Sequence, residues 1–198
     1  HAEGVAVNRN TLVFALQACA LLVEKVVSSI NHDTSNDALQ TSGSHVKKIS
    51  IPQEIGWALH AEVSKRGLLS DIMLVSALVS MYGKCGNTIG AENVFSLLPS
   101  HDVVSWNALL SGYSRHDEGH QVLIIYQEMQ RNGIKPTKPT FLCVLKACCF
   151  LSATEEGKVV HDHMMKTLVF MDEILVNSLI NTYANCGWLN EARKMFDM

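Results

Sequence analysis

Six cysteines and nine histidines are the side chains of this 198-residue chain best suited to hold a metal or attack a substrate. Two of the cysteines share a setting. "MYGKCGN" (81–87) and "TYANCGW" (182–188) both carry Tyr-x-x-Cys-Gly, and Tyr82 and Tyr183 stand 101 residues apart. A zinc site on Cys85 or Cys186 needs a second thiolate at Cys-x-x-Cys spacing, and no such pair occurs. Cys148 and Cys149 are sequential and do not chelate. His161 and His163, two apart, cannot share a helix face. His116 and His120 have better spacing, but Gly119 and a turn fall between them. The sequence offers no P-loop, nucleophile elbow or pair of carboxylates set for acid–base work. The cysteines sit mostly in apolar, helix-like stretches, where a free thiol behaves as a small buried hydrophobe. Reduced thiols in a reducing compartment are the expectation.

The elements that carry these residues leave a clear record. An apolar fraction of 47% is ample for a packed core, and 18% charged residues is too few for a disordered chain. No apolar run approaches the roughly 20 residues that cross a bilayer. With 16 basic and 19 acidic side chains the net charge is −3, so no broad positive field advertises a nucleic acid. Any such partner must be held by local contacts.

Shifting the sequence by 101 brings further pairs into line: Val75 with Val176, Leu78 with Leu179, Ala91 with Ala192 and Phe95 with Phe196. Upstream, Gly56 meets Gly157 and His60 meets His161. Agreement over about 45 residues is the mark of a repeat architecture. Glycines preceded by a cation or Asn ("KRG" 65–67, "KCG" 84–86, "RNG" 131–133, "NCG" 185–187) end helix-like stretches, as left-handed C-caps do. Between them apolar residues recur at three- and four-residue spacing, and strand-like alternation is missing. The pattern predicts an all-α solenoid of helix-turn-helix units. Its boundaries are 1–8 (tail of a preceding unit), 9–71, 72–102, 103–137, 138–172 and 173–198 (incomplete).

The first long unit is interrupted. "TLVFALQAC" (11–19) matches "TFLCVLKAC" (140–148) at an offset of 129, which exceeds 101 by 28. About 28 extra residues near 24–51, including "SSINHDTSNDALQTSGSH", are polar and lack helical periodicity, and a solvated loop is expected there. The opening "HAEGVAVN" reads as the tail of a helix and its exit, a start inside a unit.

These stretches resemble the pentatricopeptide repeat family, in its plant class of mixed long, short and standard repeats. "VVSWNALLSGYSRHDEGHQVLIIYQEMQRNGIKPT" (103–137) looks like the standard repeat. "MLVSALVSMYGKCGNTIGAENVF" (73–95) and "ILVNSLINTYANCGWLNEARKMFDM" (174–198) look like the short one. "TFLCVLKACCFLSATEEGKVVHDHMMK" (140–166) looks like the long one. The resemblance implies an α-solenoid that binds single-stranded RNA in a mitochondrion or chloroplast, one base per repeat, and guides processing such as C-to-U editing. It further implies a monomer without cofactor, metal or membrane, working with editing-complex proteins. A protein-binding scaffold like the tetratricopeptide repeats is the rival, but that family's 34-residue pattern does not fit these spacings.

In the family a repeat's fifth and last residues read the base, and its second residue sandwiches it. Carried onto this chain, the readers are Ser76 with Asp102 (guanine), Asn107 with Thr137 (a pyrimidine) and Asn177 (a pyrimidine). Met73, Val104 and Ile174 are the sandwiching residues, and Lys84 and Arg115, thirteenth in their repeats, are candidates for phosphate contact. The long repeats place Val13 and Leu142 fifth, so Asp71 and Asp172 lack a polar reading partner and receive no base. Trp106 adjoins Asn107, but neighbours on a helix point about 100° apart, so Trp106 is expected in the core. Many relatives end in a cytidine-deaminase-like domain, whose zinc needs His-x-Glu and Pro-Cys-x-x-Cys. His60-Ala61-Glu62 supplies the first motif and nothing supplies the second, so this segment is expected not to be an enzyme.

Overall fold

The computed structural model describes residues 8–33, 51–167 and 172–197, with side chains from 8–25, 53–167 and 172–197. Among these residues all regular structure is helical: α1 (Arg9–Asp33), α2 (Ile51–Lys65), α3 (Ile72–Lys84), α4 (Thr88–Phe95), α5 (Val103–Arg115), α6 (Gly119–Arg131), α7 (Lys138–Leu151), α8 (Thr154–Lys166), α9 (Glu173–Asn185) and α10 (Leu189–Phe196). The tail at 1–7 and most of the polar insertion, 34–50, lie outside the described residues. Its first part is described and differs from expectation, because α1 continues through Asp33. Propagating a formed helix gains one backbone hydrogen bond per residue fixed, so polar composition alone does not stop it.

Two compact units divide the chain, His1–Ser100 and His101–Met198. In the first, α1 packs on α2 and α3, and α3 packs on α2 and α4. Leu12, Leu16, Leu74, Leu78 and Met81 are fully buried there. In the second, α5, α7 and α9 pack side by side in sequence order, with α6 against α5 and α7, α8 against α7 and α9, and α10 against α9. Leu110, Met129, Phe141, Leu145, Met164, Leu175 and Leu179 fill that core. Each such side chain contributes about 1.5–3 kcal/mol by leaving water.

Caps set where the helices begin. Asp71 accepts from the backbone N–H groups of Met73 and Leu74, Asp102 from Ser105 and Asp172 from Leu175, each satisfying donors that the first turn leaves orphaned. α7 follows Thr137, with Pro139 in its first turn, where a missing N–H costs nothing. The turn after each of α3, α5, α7 and α9 contains one left-handed residue: Gly86 (φ 76°), Asp117 (57°), Ser152 (51°) and Gly187 (78°). Their steps are 31, 35 and 35 residues.

Glycine also permits one close approach. A Cβ on Gly56 would lie 2.6 Å from Met81 Sδ, so a methyl group there has to push aside that buried thioether. The counterpart 101 residues on, Gly157, would meet Thr182 Cγ2 at 3.4 Å. At the same offset His60 Nδ1 lies 2.6 Å from the Tyr82 hydroxyl, and His161 Nδ1 lies 2.6 Å from that of Tyr183. The tyrosine of Tyr-x-x-Cys-Gly therefore ties each third or ninth helix to the helix before it.

Candidate nucleic-acid interface

Asn107 is the fifth residue of α5, and Thr137 precedes α7. Stacking of α5 against α7 brings them together: Asn107 Nδ2 donates to Thr137 Oγ1 at 3.0 Å. A third residue completes the arrangement. Thr140 Oγ1 accepts the Thr137 backbone N–H at 2.9 Å, which leaves its own hydrogen for Asn107 Oδ1 at 2.6 Å. Thr140 is fully buried. A carboxamide has two donor hydrogens and two acceptor lone pairs. This network takes one of each and sets the amide's orientation, oxygen toward Thr140 and nitrogen toward Thr137. One donor and one acceptor remain on half-buried Asn107. Every base carries an adjacent acceptor and donor on its Watson–Crick edge, the complement of this pair.

Asn177 is the fifth residue of α9 and is exposed. Leu142, fifth in α7, is half-buried between them in register. Val104 and Ile174, second in α5 and α9, are 58% and 56% exposed, and Met73, second in α3, is 52% exposed. Three large apolar side chains at one helical position thus stand in water, as stacking surfaces for flat ligands would. Trp106 is buried in the core, 5.7 Å from the His101 ring.

Ser76 is placed differently. It is 6% exposed, and its hydroxyl has no hydrogen-bond partner among the described residues. A base edge reaches it only if its cover moves. Asp102 caps α5 and is half-buried. Lys84, the last residue of α3, pairs with Glu24 of α1 at 3.2 Å, so its ammonium is partly neutralised within the fold. Arg115, the last residue of α5, is exposed.

Asp71 and Asp172 do have side-chain partners, which sequence reasoning missed. Arg9 binds Asp71 and Lys138 binds Asp172. Hydrogen bonding from Lys138 and from the Leu175 N–H holds the Asp172 carboxyl below its ordinary range. The signal was a cation opening each long repeat. Nothing in a one-dimensional pattern says which face it occupies.

Two of the thiols are held back by burial. Burial pushes the Cys85 thiol up to about 11 and the Cys148 thiol up to about 12, far from thiolate chemistry at neutral pH. Cys19 and Cys148 are buried, whereas Cys85, Cys143, Cys149 and Cys186 are only half-buried. His60 is engaged by Tyr82 and Glu62 by Arg66 at 2.6 Å, so His60-Ala61-Glu62 belongs to helix packing. Among the described residues no cluster of three His, Cys, Asp or Glu could hold a metal, and no helix is long and apolar enough to cross a membrane.

A model of the PPR repeat family matches residues 101–149, and the PPR repeat itself matches 74–103 and 174–198. Together they cover about half of the chain. The chain is a pentatricopeptide repeat protein. A chloroplastic pentatricopeptide repeat-containing protein of Arabidopsis thaliana is 32% identical over 142 residues, 72% of this chain and 18% of that protein. A mitochondrial one is 31% identical over 183 residues, 91% of this chain and 18% of that protein. The chain thus spans about a fifth of the length of these relatives. Among solved structures, the maize pentatricopeptide repeat protein PPR10 aligns with a TM-score of 0.62 over 100% of this chain and 29% of its own, at 19% identity. PPR10 in complex with an 18-nucleotide psaJ RNA element aligns at 0.64, over 98% of this chain and 30% of that one, at 15% identity. The pentatricopeptide fold, stacked helix-turn-helix repeats of an α-solenoid, is therefore shared.

Proposed function

We propose that this chain binds single-stranded RNA, one base per repeat, with Asn107 and Thr137 reading a pyrimidine, Asn177 reading a second, and Val104 and Ile174 flanking the bases. The orientation of Asn107 by Thr137 and Thr140 is the observation that carries this reading, because it presents one donor and one acceptor from a fixed amide. The RNA bound by PPR10, a protein of the same fold, supports it. Unstacked bases expose their Watson–Crick edges to side chains in this manner, one helical repeat to each base.

The repeats follow the mixed long, short and standard order, with units at 9–71, 72–102, 103–137, 138–172 and 173–198. The parent protein works in a mitochondrion or chloroplast, as its named relatives do. There it guides transcript processing such as C-to-U editing, as a monomer beside editing-complex proteins. Ser76 with Asp102 takes a guanine once Ser76 is uncovered, and Arg115 contacts phosphate. Lys84 does so only by leaving Glu24.

Fluorescence anisotropy with short RNAs permuted one nucleotide at a time tests the reading. It requires base-dependent affinity, with a pyrimidine favoured over a purine at the Asn107 nucleotide. Equal affinity for all permutations defeats it. Stacking contributes about 1–3 kcal/mol per base, so low salt and micromolar protein suit the measurement.

A further inference from the structure

The two long repeats share an internal ion pair. Arg9, which opens α1, meets Asp71 in bidentate fashion: Nη2 donates to Oδ1 at 3.0 Å and Nε faces Oδ2. Lys138, which opens α7, holds Asp172 Oδ2 through Nζ. The pairs are 62 and 34 residues apart in sequence, and the difference, 28, equals the excess of the 129-residue offset over 101. The same closure has formed twice, at different chain lengths.

Each carboxylate also caps the helix that follows, Asp71 to Met73 and Leu74 and Asp172 to Leu175. On each, Oδ1 is held by the helix N-terminus and Oδ2 by the cation, so both oxygens are engaged and the charge is opposed. Asp102 occupies the corresponding place at the end of the short repeat and also caps a helix. Among the described residues no cation pairs with it. The residues that open the complete short and standard repeats, Ile72 and Val103, are uncharged, and Glu173, which opens the incomplete short repeat, is acidic.

We infer that Arg9 and Lys138 are specificity-determining residues: they withdraw the last-position carboxylate of each long repeat from RNA, so that a nucleotide passes there unselected. The inference rests on the one-base-per-repeat reading above. The gate is modest, because the Lys138–Asp172 side chains remain 35% and 29% exposed. An exposed ion pair of this kind shifts an equilibrium by up to about fivefold. Released, an acceptor-only carboxylate that faces N3 favours uracil, which offers an N3–H there, over cytosine, which offers a lone pair there and a donor only at its exocyclic amine.

The test is a cycle in the 198-residue chain: Leu142→Asn, Lys138→Met and the double variant, titrated with RNAs carrying each base opposite α7. Leu142→Asn alone should discriminate less than about twofold, and the double variant should favour uracil over cytosine about fivefold. Lys138→Gln with Leu142→Asn repeats the measurement should the methionine variant melt early. Equal discrimination by Leu142→Asn with and without Lys138 overturns the inference, and so does a double variant that discriminates no better than the parent. A uniform loss for all sequences in Lys138→Met, with a salt slope lowered by about 1, makes Lys138 a phosphate contact and also overturns it. Pyrimidine preference opposite Asn107 is the internal control. Its persistence in every variant separates failure of the gate from failure of the base-per-repeat reading, and its absence in the parent removes both.

Discussion

Asn107 and Thr137 are joined side chain to side chain across 3.0 Å although 30 residues separate them, and Thr140 holds the other end of the amide at 2.6 Å. Thr140 touches no base in this arrangement and acts by orienting Asn107. Thr140→Val removes the hydroxyl that satisfies the Thr137 N–H and steers the amide. Stability should fall by about 1 kcal/mol for the orphaned, half-buried donor. Base discrimination at the Asn107 nucleotide should fall severalfold more than overall affinity, and Thr140→Ser should restore both. Chemical denaturation and anisotropy on the same samples check this. A valine variant that keeps full selectivity removes Thr140 from the readout.

Burial of Ser76 makes the adjoining nucleotide a sharper test. Ser76→Asn combined with Asp102→Asn should move preference there from guanine toward cytosine. Asparagine is larger than the serine it replaces at a site 6% exposed, so a stability loss of about 1–3 kcal/mol should accompany the change. Competition binding with the two RNAs reads the preference. No change in rank order ends the assignment for this pair.

Stability should also depend on pH through the histidine–tyrosine pairs. Burial lowers the His60, His161 and His163 values below the usual imidazole range; Asp162 partly opposes this at His161, and Lys166 adds to it at His163. A histidine held neutral by the fold binds its proton more readily in the unfolded chain. Stability is therefore fully present above about pH 6.5 and declines as pH falls from there toward the lowered folded values. Thermal melts followed by circular dichroism should show Tm dropping by a few degrees between pH 7.5 and 5.5. His60→Gln with His161→Gln should flatten that dependence.

The left-handed turn residues predict opposite signs for two substitutions. Ser152 has φ 51°, where a Cβ is strained, so Ser152→Gly should stabilise the protein by about 0.5–1 kcal/mol. Gly187 has φ 78°, and Gly187→Ala should destabilise it by about 1–2 kcal/mol. Urea midpoints measure both. Equal shifts of one sign would contradict the shared turn geometry.

Gly56→Ala forces a methyl group to within 2.6 Å of Met81 Sδ, whereas Gly157→Ala meets Thr182 Cγ2 at an ordinary 3.4 Å. The first should cost about 1–3 kcal/mol and the second well under half of that. Denaturation of the two variants side by side checks the ordering.

The helical-repeat fold was legible because its determinants are local and recur: C-capping glycines, three- and four-residue apolar spacing, and the Tyr-x-x-Cys-Gly pair. Burial of Trp106 followed from its angle to Asn107 on one helix. Relationships across the fold were less legible. That Lys138 reaches Asp172, that Lys84 turns to Glu24, and that Ser76 is covered all depend on how whole helices dock. The continuation of α1 to Asp33 escaped notice because composition speaks to solvation more than to where a formed helix stops.

The Arg9–Asp71 and Lys138–Asp172 pairs close over 62 and 34 residues alike. Contour length inside such a repeat is therefore uncoupled from the pitch at which its neighbours are presented. Protein engineers could exploit that freedom, grafting a reporter or a regulatory segment between α1 and α2 while the spacing of successive recognition positions stays as it was.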